Sequence, residues 1–175
     1  MKKGSIIVIL LLVLGLSGVF SLNFFTIVKP MKSVIQDDYR NSGIEVSVHY
    51  DNYINTNVLV FDLGKIGADN SPADIFRVFW QYAQKISDKN FDKVILSSKG
   101  KPKFYILGQH FKKMGNEYGN ENPIYVVRTF PENVYTMDGQ RAFNKWTGGL
   151  LGVSSKQMED FYEFNKEWFI NDLLK

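Results

Sequence analysis

A long uncharged stretch near the start of the chain constrains its fold and location most. Residues 5–28, SIIVILLLVLGLSGVFSLNFFTIV, are 24 residues without a charged side chain, and they follow Lys2 and Lys3. A helix of this length crosses a bilayer core of ~30 Å, whereas apolar runs in soluble helices usually stop after about 10 to 14 residues. The sequence therefore predicts a membrane-directed helix followed by a separately folded region.

Two fates of this helix are compatible with the sequence. In the first, residues 5–28 remain as a single transmembrane anchor. In the second, they form a signal peptide that is cleaved after Gly18 or Ser21. Neither site has the small-x-small pattern of a good cleavage site, since Leu16 precedes Gly18 and Val19 precedes Ser21. We therefore favour the uncleaved anchor.

The charges beside the apolar run predict on which side of the membrane the domain lies. Lys2, Lys3 and the amino terminus precede the run, and Lys29 and Lys32 follow it. By the positive-inside rule, this small excess keeps the amino terminus in the cytoplasm. The rest of the chain is then extracytoplasmic, either tethered to the cell membrane or secreted or periplasmic after cleavage.

Composition excludes several classes of protein. The chain has 21 Lys and Arg against 18 Asp and Glu, so without Lys2 and Lys3 the balance is 19 to 18. Nucleic-acid-binding domains normally carry a clear basic excess, and we expect no nucleic-acid partner. The chain has no cysteine, which removes disulfides, thiolate metal sites and cysteine nucleophiles.

The sequence divides into three parts. We expect residues 1–28 to be the anchor or signal peptide, residues 29–43 a juxtamembrane connector, and residues 44–175 a single α+β domain. Pro30 is expected to end the apolar helix, and Asn41-Ser42-Gly43 is a typical turn before the domain.

Alternation and breaker residues predict five strands and three helices within the domain. The expected strands start at Ile44, Val58, Phe91, Lys103 and Pro123. The clearest helix begins after Ser71, because Ser71 and Asp74 are spaced as a capping box. A second helix carries Phe111, Met114 and Tyr118, and a long third helix begins at Ser154 or Ser155. The irregular region before this last helix leaves room for a further short helix from Asp138 to Trp146.

This order predicts the fold class. We expect a two-layer α+β sandwich, in which helices cover one face of a mainly antiparallel sheet of about five strands. The transmembrane or signal helix precedes it.

No complete catalytic pattern is present. The two histidines, His49 and His110, lie in distant elements and do not form a zinc motif. His49 is expected on the polar face of the first strand, and His110 beside an apolar row, bonded to a backbone group. Ser98 and Lys101 match S-x-x-K, but Gly100 marks a turn where that chemistry needs a helix. We therefore assign no catalytic residue, no metal site and no cofactor.

Carboxylates remain the one catalytic alternative. A pair of acids could converge only in three dimensions, and the candidates are Asp51, Asp62, Asp69, Glu117, Glu121, Glu132 and Asp138.

Two segments are candidate interaction surfaces. In the first, Tyr50, Asn52 and Tyr53 combine rings with amides, a composition suited to sugars or peptide backbones. In the second, Phe143, Trp146, Leu150 and Leu151 accompany three glycines. If they are exposed they form an apolar patch, and if they are buried they complete the core.

The leading hypothesis is a non-catalytic, membrane-anchored extracytoplasmic domain that binds a protein or an envelope component such as a glycan. One alternative is a small envelope hydrolase or transferase that uses paired carboxylates. The other is an accessory subunit of a membrane complex, in which Gly15, Ser17 and Gly18 form a small-residue face of the anchor.

Overall fold

The computed structural model describes residues 3–173, with side chains described from Ile6 onward except at Leu150. Its helices are α1 (Lys3–Asn23), α2 (Lys29–Asp37), α3 (Pro72–Lys85), α4 (Gly108–Glu117), α5 (Pro123–Thr129), α6 (Leu150–Asn165) and α7 (Asn171–Leu173). Its strands are β1 (Ile44–Asp51), β2 (Asn55–Ile66), β3 (Lys93–Ser98), β4 (Lys101–Leu107) and β5 (Val134–Thr136). π-Helical turns occupy Phe24–Val28 and Lys166–Ile170, and short 3-10 turns occupy Tyr39–Asn41 and Phe130–Asn133.

The five strands form one sheet in the order β1-β2-β3-β4-β5. β2 and β3 are parallel, and the other three neighbouring pairs are antiparallel. Helix α3 makes the crossover that a parallel pair requires. The predicted α+β class, with a mainly antiparallel five-stranded sheet after an apolar helix, is confirmed.

The alternating pattern of β1 sets which face of the sheet is buried. Ile44, Val48 and Tyr50 are buried in the main core, whereas Ser47 is exposed. His49 pairs with Val60 of β2 on the opposite face, as the alternation predicts.

Helix α3 contributes the largest share of aromatic core. Its start is the predicted capping box, since the Ser71 hydroxyl accepts from the Asp74 amide while the Asp74 carboxylate accepts from the Ser71 amide. Phe79 is fully buried and packs edge-on against Phe61 of β2, with ring centroids 5.0 Å apart. Burial of one such side chain stabilises the fold by roughly 1.5–3 kcal/mol.

Pro30 does not end the first helix, contrary to the sequence prediction. Helix continues from α1 through the π-helical turn into α2, so Ile6–Asp37 is one continuous span of 32 residues. Ile27, Met31 and Val34 lie on one face of it and are buried in the main core. A proline inside a helix costs about 3 kcal/mol, and burial of three apolar side chains at roughly 1.5–3 kcal/mol each outweighs that cost.

The predicted strand from Pro123 to Phe130 is wrong, since this segment forms α5 and the following 3-10 turn. Pro123 stands in the first turn, and the Asn122 side chain caps the helix by accepting from the Ile124 amide. These two signals for the start of a helix outweigh the strand preference of the β-branched residues. The fifth strand is instead β5, which pairs with β4.

The region before the last helix also differs from the prediction. No helix forms from Asp138 to Trp146, because Thr136 and Gln140 close a turn in which Gly139 has φ 93°. Helix α6 begins at Leu150, four residues before Ser154, the earlier of the two predicted starts.

Candidate functional site

A cleft around His110 brings together several ionisable side chains from distant parts of the chain. This His110 cleft has a volume of about 250 Å³ and lies among α4, α5, the 3-10 turn and the segment around Arg141 and Lys145. Helix α4 supplies His110, and the 3-10 turn supplies Glu132. Other ionisable side chains that line the cleft are Lys113, Glu117, Arg141 and Lys145. A second hollow adjoins it and shares His110, Lys113 and Arg141.

His110 is held in its neutral form. Burial, and to a smaller degree the positive charge of Lys113, lower its pKa to about 4. Its Nε2 atom is buried, and no atom of residues 3–173 forms a hydrogen bond with it. This nitrogen therefore does not make the backbone bond that was expected of His110. A group with so low a pKa is a weak base at neutral pH and fits ligand contact better than proton transfer.

The cleft carries an excess of positive charge. Three cations face two carboxylates, and one cation is already paired, since Lys113 Nζ lies 3.5 Å from Glu117 Oε1. Arg141 donates to the backbone carbonyl of Glu132, and neither it nor Lys145 forms an ion pair within residues 3–173. Unpaired Arg and Lys side chains are suited to carboxylate or phosphate groups.

The first predicted surface is split by the structure. Tyr50 is buried, and its hydroxyl donates to Thr26 Oγ1 at 2.9 Å, on the core side of the sheet. Asn52 and Tyr53 instead form the exposed β1–β2 turn, where the Tyr53 ring stacks on His49 with centroids 4.8 Å apart.

A separate cleft of about 340 Å³, whose lining does not include His110, lies beside the β1–β2 turn on the sheet face away from the main core. Two predicted carboxylates, Asp51 and Asp62, line it together with His49. Both oxygens of Asp62 accept from the Gly100 amide, at 2.9 and 3.0 Å. Within residues 3–173, no group of three or more His, Asp or Glu side chains is placed to hold a metal ion.

The S-x-x-K match at Ser98 does not form a catalytic pair. It spans the β3–β4 turn, where Lys99 has φ 49° and Gly100 has φ 75°. The motif lysine, Lys101, is exposed at the start of β4. Its neighbour Lys99 donates its amine to the carbonyl of Asp172, so Lys99 joins the turn to the C-terminal helix.

The second predicted surface is also not one patch. Phe143 is half-buried and packs against the main core. Trp146 donates its indole N–H to Asp160 at 2.7 Å. Leu151 is 87% exposed, and the side chain of Leu150 lies outside the described part of the chain.

An apolar groove of about 500 Å³ was not anticipated from the sequence. Phe76 and Trp80 of α3 form one wall, and Tyr118 and Val127 form part of the other. The indole N–H of Trp80 donates to the Met114 carbonyl at 2.6 Å. The groove could not be foreseen because α5, which supplies Val127, was predicted as a strand.

The cations of the His110 cleft were also missed. Arg141 and Lys145 lie about thirty residues beyond His110 in the chain, in a segment without periodicity. No local motif joins them to His110, so only the tertiary structure brings them together.

Comparison with known proteins gives no relative: no protein-family model matches the chain, and no curated protein and no solved structure matches it significantly.

Proposed function

We propose that this protein is a single-pass membrane protein whose α+β domain lies outside the cytoplasm and binds a protein or a cell-envelope component without catalysis. The observation that carries this proposal is the continuity of the first helix. Its initial part is apolar and exposed, and one face of its later part is buried in the domain core. A helix of this kind is suited to anchoring and presenting a domain at a fixed distance from a membrane.

Hydrogen bonds support a rigid junction between anchor and domain. Asn23 bonds the backbone of the β1–β2 turn at Tyr50 and Tyr53. The buried hydroxyl of Tyr82 donates to the carbonyl of Ile27 at 3.1 Å. A flexible tether would need none of these contacts, so the junction favours a role in which orientation matters.

The His110 cleft is the site that best supports ligand binding. Its unpaired cations, Arg141 and Lys145, favour an acidic group on the ligand. Neutral His110 can donate or accept a hydrogen bond. We therefore propose that the bound protein or envelope component presents a carboxylate or phosphate here.

The location can be tested with single cysteines, because the chain has none of its own. Lys101→Cys places a thiol at the exposed start of β4, next to the β3–β4 turn. In intact cells, we expect a membrane-impermeant maleimide to label it and the protein to remain in the membrane fraction at full mass. Labelling only after lysis would contradict the extracytoplasmic location, and a soluble protein shortened by about twenty residues would contradict the anchor.

The binding site can be tested with a photo-crosslinking amino acid at Tyr125, which lines the cleft and is 49% exposed. Tyr39, 87% exposed and remote from the cleft lining, is the matched control position. We expect a discrete adduct at position 125, lost in Arg141→Gln, and none at position 39. Equal adducts at both positions, or an adduct at 125 that Arg141→Gln does not change, would contradict this site.

A hydrolase or transferase is the second candidate, because Glu117 and Glu132 line the same cleft. If it is correct, Glu132→Gln abolishes turnover of envelope material while ligand crosslinking at Tyr125 persists. Under the binding proposal, purified wild-type protein releases no product from that material.

An accessory subunit of a membrane complex is the third candidate. At Gly15 and Gly18, no atom of the described part of the chain lies within 4 Å of the position of an added Cβ, so this side of α1 is open to another helix. Replacing residues 5–22 with an unrelated apolar helix would remove activity under this candidate and preserve it under the binding proposal.

A further inference from the structure

The tip of the β1–β2 hairpin exposes two large adjacent side chains. Tyr53 is 58% exposed and Ile54 is 68% exposed, and neither belongs to a core cluster of the described residues. Asn52 and Tyr53 have φ of 49° and 65°, a region that favours Gly or Asn in two-residue turns. The turn thus carries a large ring at a position where the backbone favours glycine, and the next side chain is a large aliphatic one.

The tip is fixed beside the end of α1. The Asn23 amide donates to the Tyr53 carbonyl at 2.7 Å, and Asn23 Oδ1 accepts from the Tyr50 amide at 3.0 Å. Around Asn23, α1 and the π-helical turn expose Phe20 and Phe25, at 71% and 64%. The hairpin tip therefore lies at the same height as a band of exposed rings on the helix.

Helix geometry gives the depth of this band in a bilayer. At 1.5 Å per residue, the helix rises about 29 Å from Ile6 to Phe25, which matches a hydrocarbon core of ~30 Å. Asn23 then lies within the last turn of the span, at the boundary between hydrocarbon and head groups. Tyrosine is enriched at this boundary, where its ring is in the apolar layer and its hydroxyl is hydrated.

We propose that the hairpin tip, residues 52–54, inserts Tyr53 and Ile54 into the boundary layer of the same bilayer that α1 spans. This inference rests on the proposed anchoring by α1. The hairpin is then a second membrane contact, which sets the rotation of the domain about the helix axis and turns the β3–β4 turn, at the opposite end of β2 and β3, toward water.

The absence of native cysteine makes site-specific labelling direct. Three full-length variants, Ile54→Cys, Leu12→Cys and Lys101→Cys, are labelled with an environment-sensitive NBD fluorophore. Each is reconstituted into vesicles of phosphatidylethanolamine and phosphatidylglycerol, with or without lipids that carry a nitroxide quencher near the glycerol or deep in the acyl chain. Leu12 reports on the anchor, and Lys101 reports on the end of the strands away from the membrane.

We expect position 54 to emit at shorter wavelength than position 101 and to be quenched most by the shallow nitroxide. Position 12 is expected to be quenched most by the deep nitroxide, and position 101 by neither. Quenching at 12 with water-like emission at 54 overturns the hairpin inference and leaves the anchor proposal intact. Water-like emission at both positions overturns both proposals.

Discussion

The Asn23 side-chain amide donates to the backbone carbonyl of Tyr53 at 2.7 Å, thirty residues later in the chain. The same amide nitrogen donates to the Val19 carbonyl at 3.0 Å, and the side-chain oxygen accepts from the Tyr50 amide at 3.0 Å. Asn23 is 5% exposed, so this polar side chain in an apolar helix is fully engaged. It ties the apolar span to the hairpin.

Replacement of Asn23 by alanine should destabilise the domain. The Tyr50 amide loses its side-chain acceptor, and a buried donor without a partner costs about 1–3 kcal/mol. The higher helix propensity of alanine offsets a few tenths of a kcal/mol of this loss, by order of magnitude. Urea unfolding in a mild detergent measures the change. Asn144 is exposed, and its side chain forms no hydrogen bond within the described residues, so Asn144→Ala should leave the midpoint unchanged. Equal midpoints for both variants would contradict this assignment.

Replacement of two helical glycines by alanine should change the stability of the domain in opposite directions. A Cβ at Gly115 would lie 2.3 Å from the Ala83 carbonyl oxygen, where α4 crosses α3, so we expect Gly115→Ala to cost about 1–3 kcal/mol. A Cβ at Gly152 of α6 meets no atom of the described residues within 4 Å, so Gly152→Ala should gain about 0.5–1 kcal/mol of helix stability. Thermal unfolding of both variants tests the pair. A neutral Gly115→Ala would show that the two helices do not approach so closely.

The buried imidazole of His110 should make stability depend on pH. Its pKa is lowered to about 4 in the folded state, against about 6.5 in an unfolded chain. The unfolded state therefore binds the proton more tightly, and stability that is present above pH 6.5 falls as the pH decreases toward 4. At pH 5 the loss amounts to about 2 kcal/mol.

The variant His110→Gln isolates this contribution. Glutamine does not titrate, so the variant should lose about 2 kcal/mol less than the wild type between pH 7.5 and pH 5. Denaturant midpoints at the two pH values give the loss of stability for each protein. Titrating groups that the two proteins share cancel when the two losses are subtracted. Parallel pH profiles for the two proteins would show that His110 titrates normally.

Loss of the α3 cap should weaken the fold by a measurable amount. Ser71→Ala removes the hydroxyl that accepts from the Asp74 amide, and removal of such a cap costs about 0.5–2 kcal/mol. Ser155→Ala is the matched control, because Ser155 is exposed on α6 and its side chain forms no hydrogen bond with any other described residue. Chemical denaturation that ranks the two variants equally would argue against the capping box.

Those features that depend on neighbours in the chain were predictable. The alternation of Ile44, Val46 and Val48 predicts a strand with His49 on the far face, and the structure has it so. The spacing of Ser71 and Asp74 predicts the start of α3, because both capping bonds form between residues three apart. An apolar run without a charge likewise predicts a helix that could enter a membrane.

The sequence predictions were wrong where a local signal competed with another signal or with a distant contact. The β-branched residues of Pro123–Phe130 favour a strand, but Asn122 caps a helix there. Pro30 favours a helix end, but burial of Ile27, Met31 and Val34 in the core continues the helix past it. The deciding energy comes from contacts with distant segments, and no local window of sequence contains those contacts.

The sequence by itself determined the apolar span, the fold class and the clearest helix start, since each follows from periodicity or spacing within a few residues. Only the tertiary structure decided that Asn23 bonds the hairpin at Tyr53 and that His110, Glu132 and Arg141 line one cleft. These groups are separated by tens of residues and meet only when helices and sheet pack. The physical reason is that burial, charge pairing and pKa depend on what lies nearby in space.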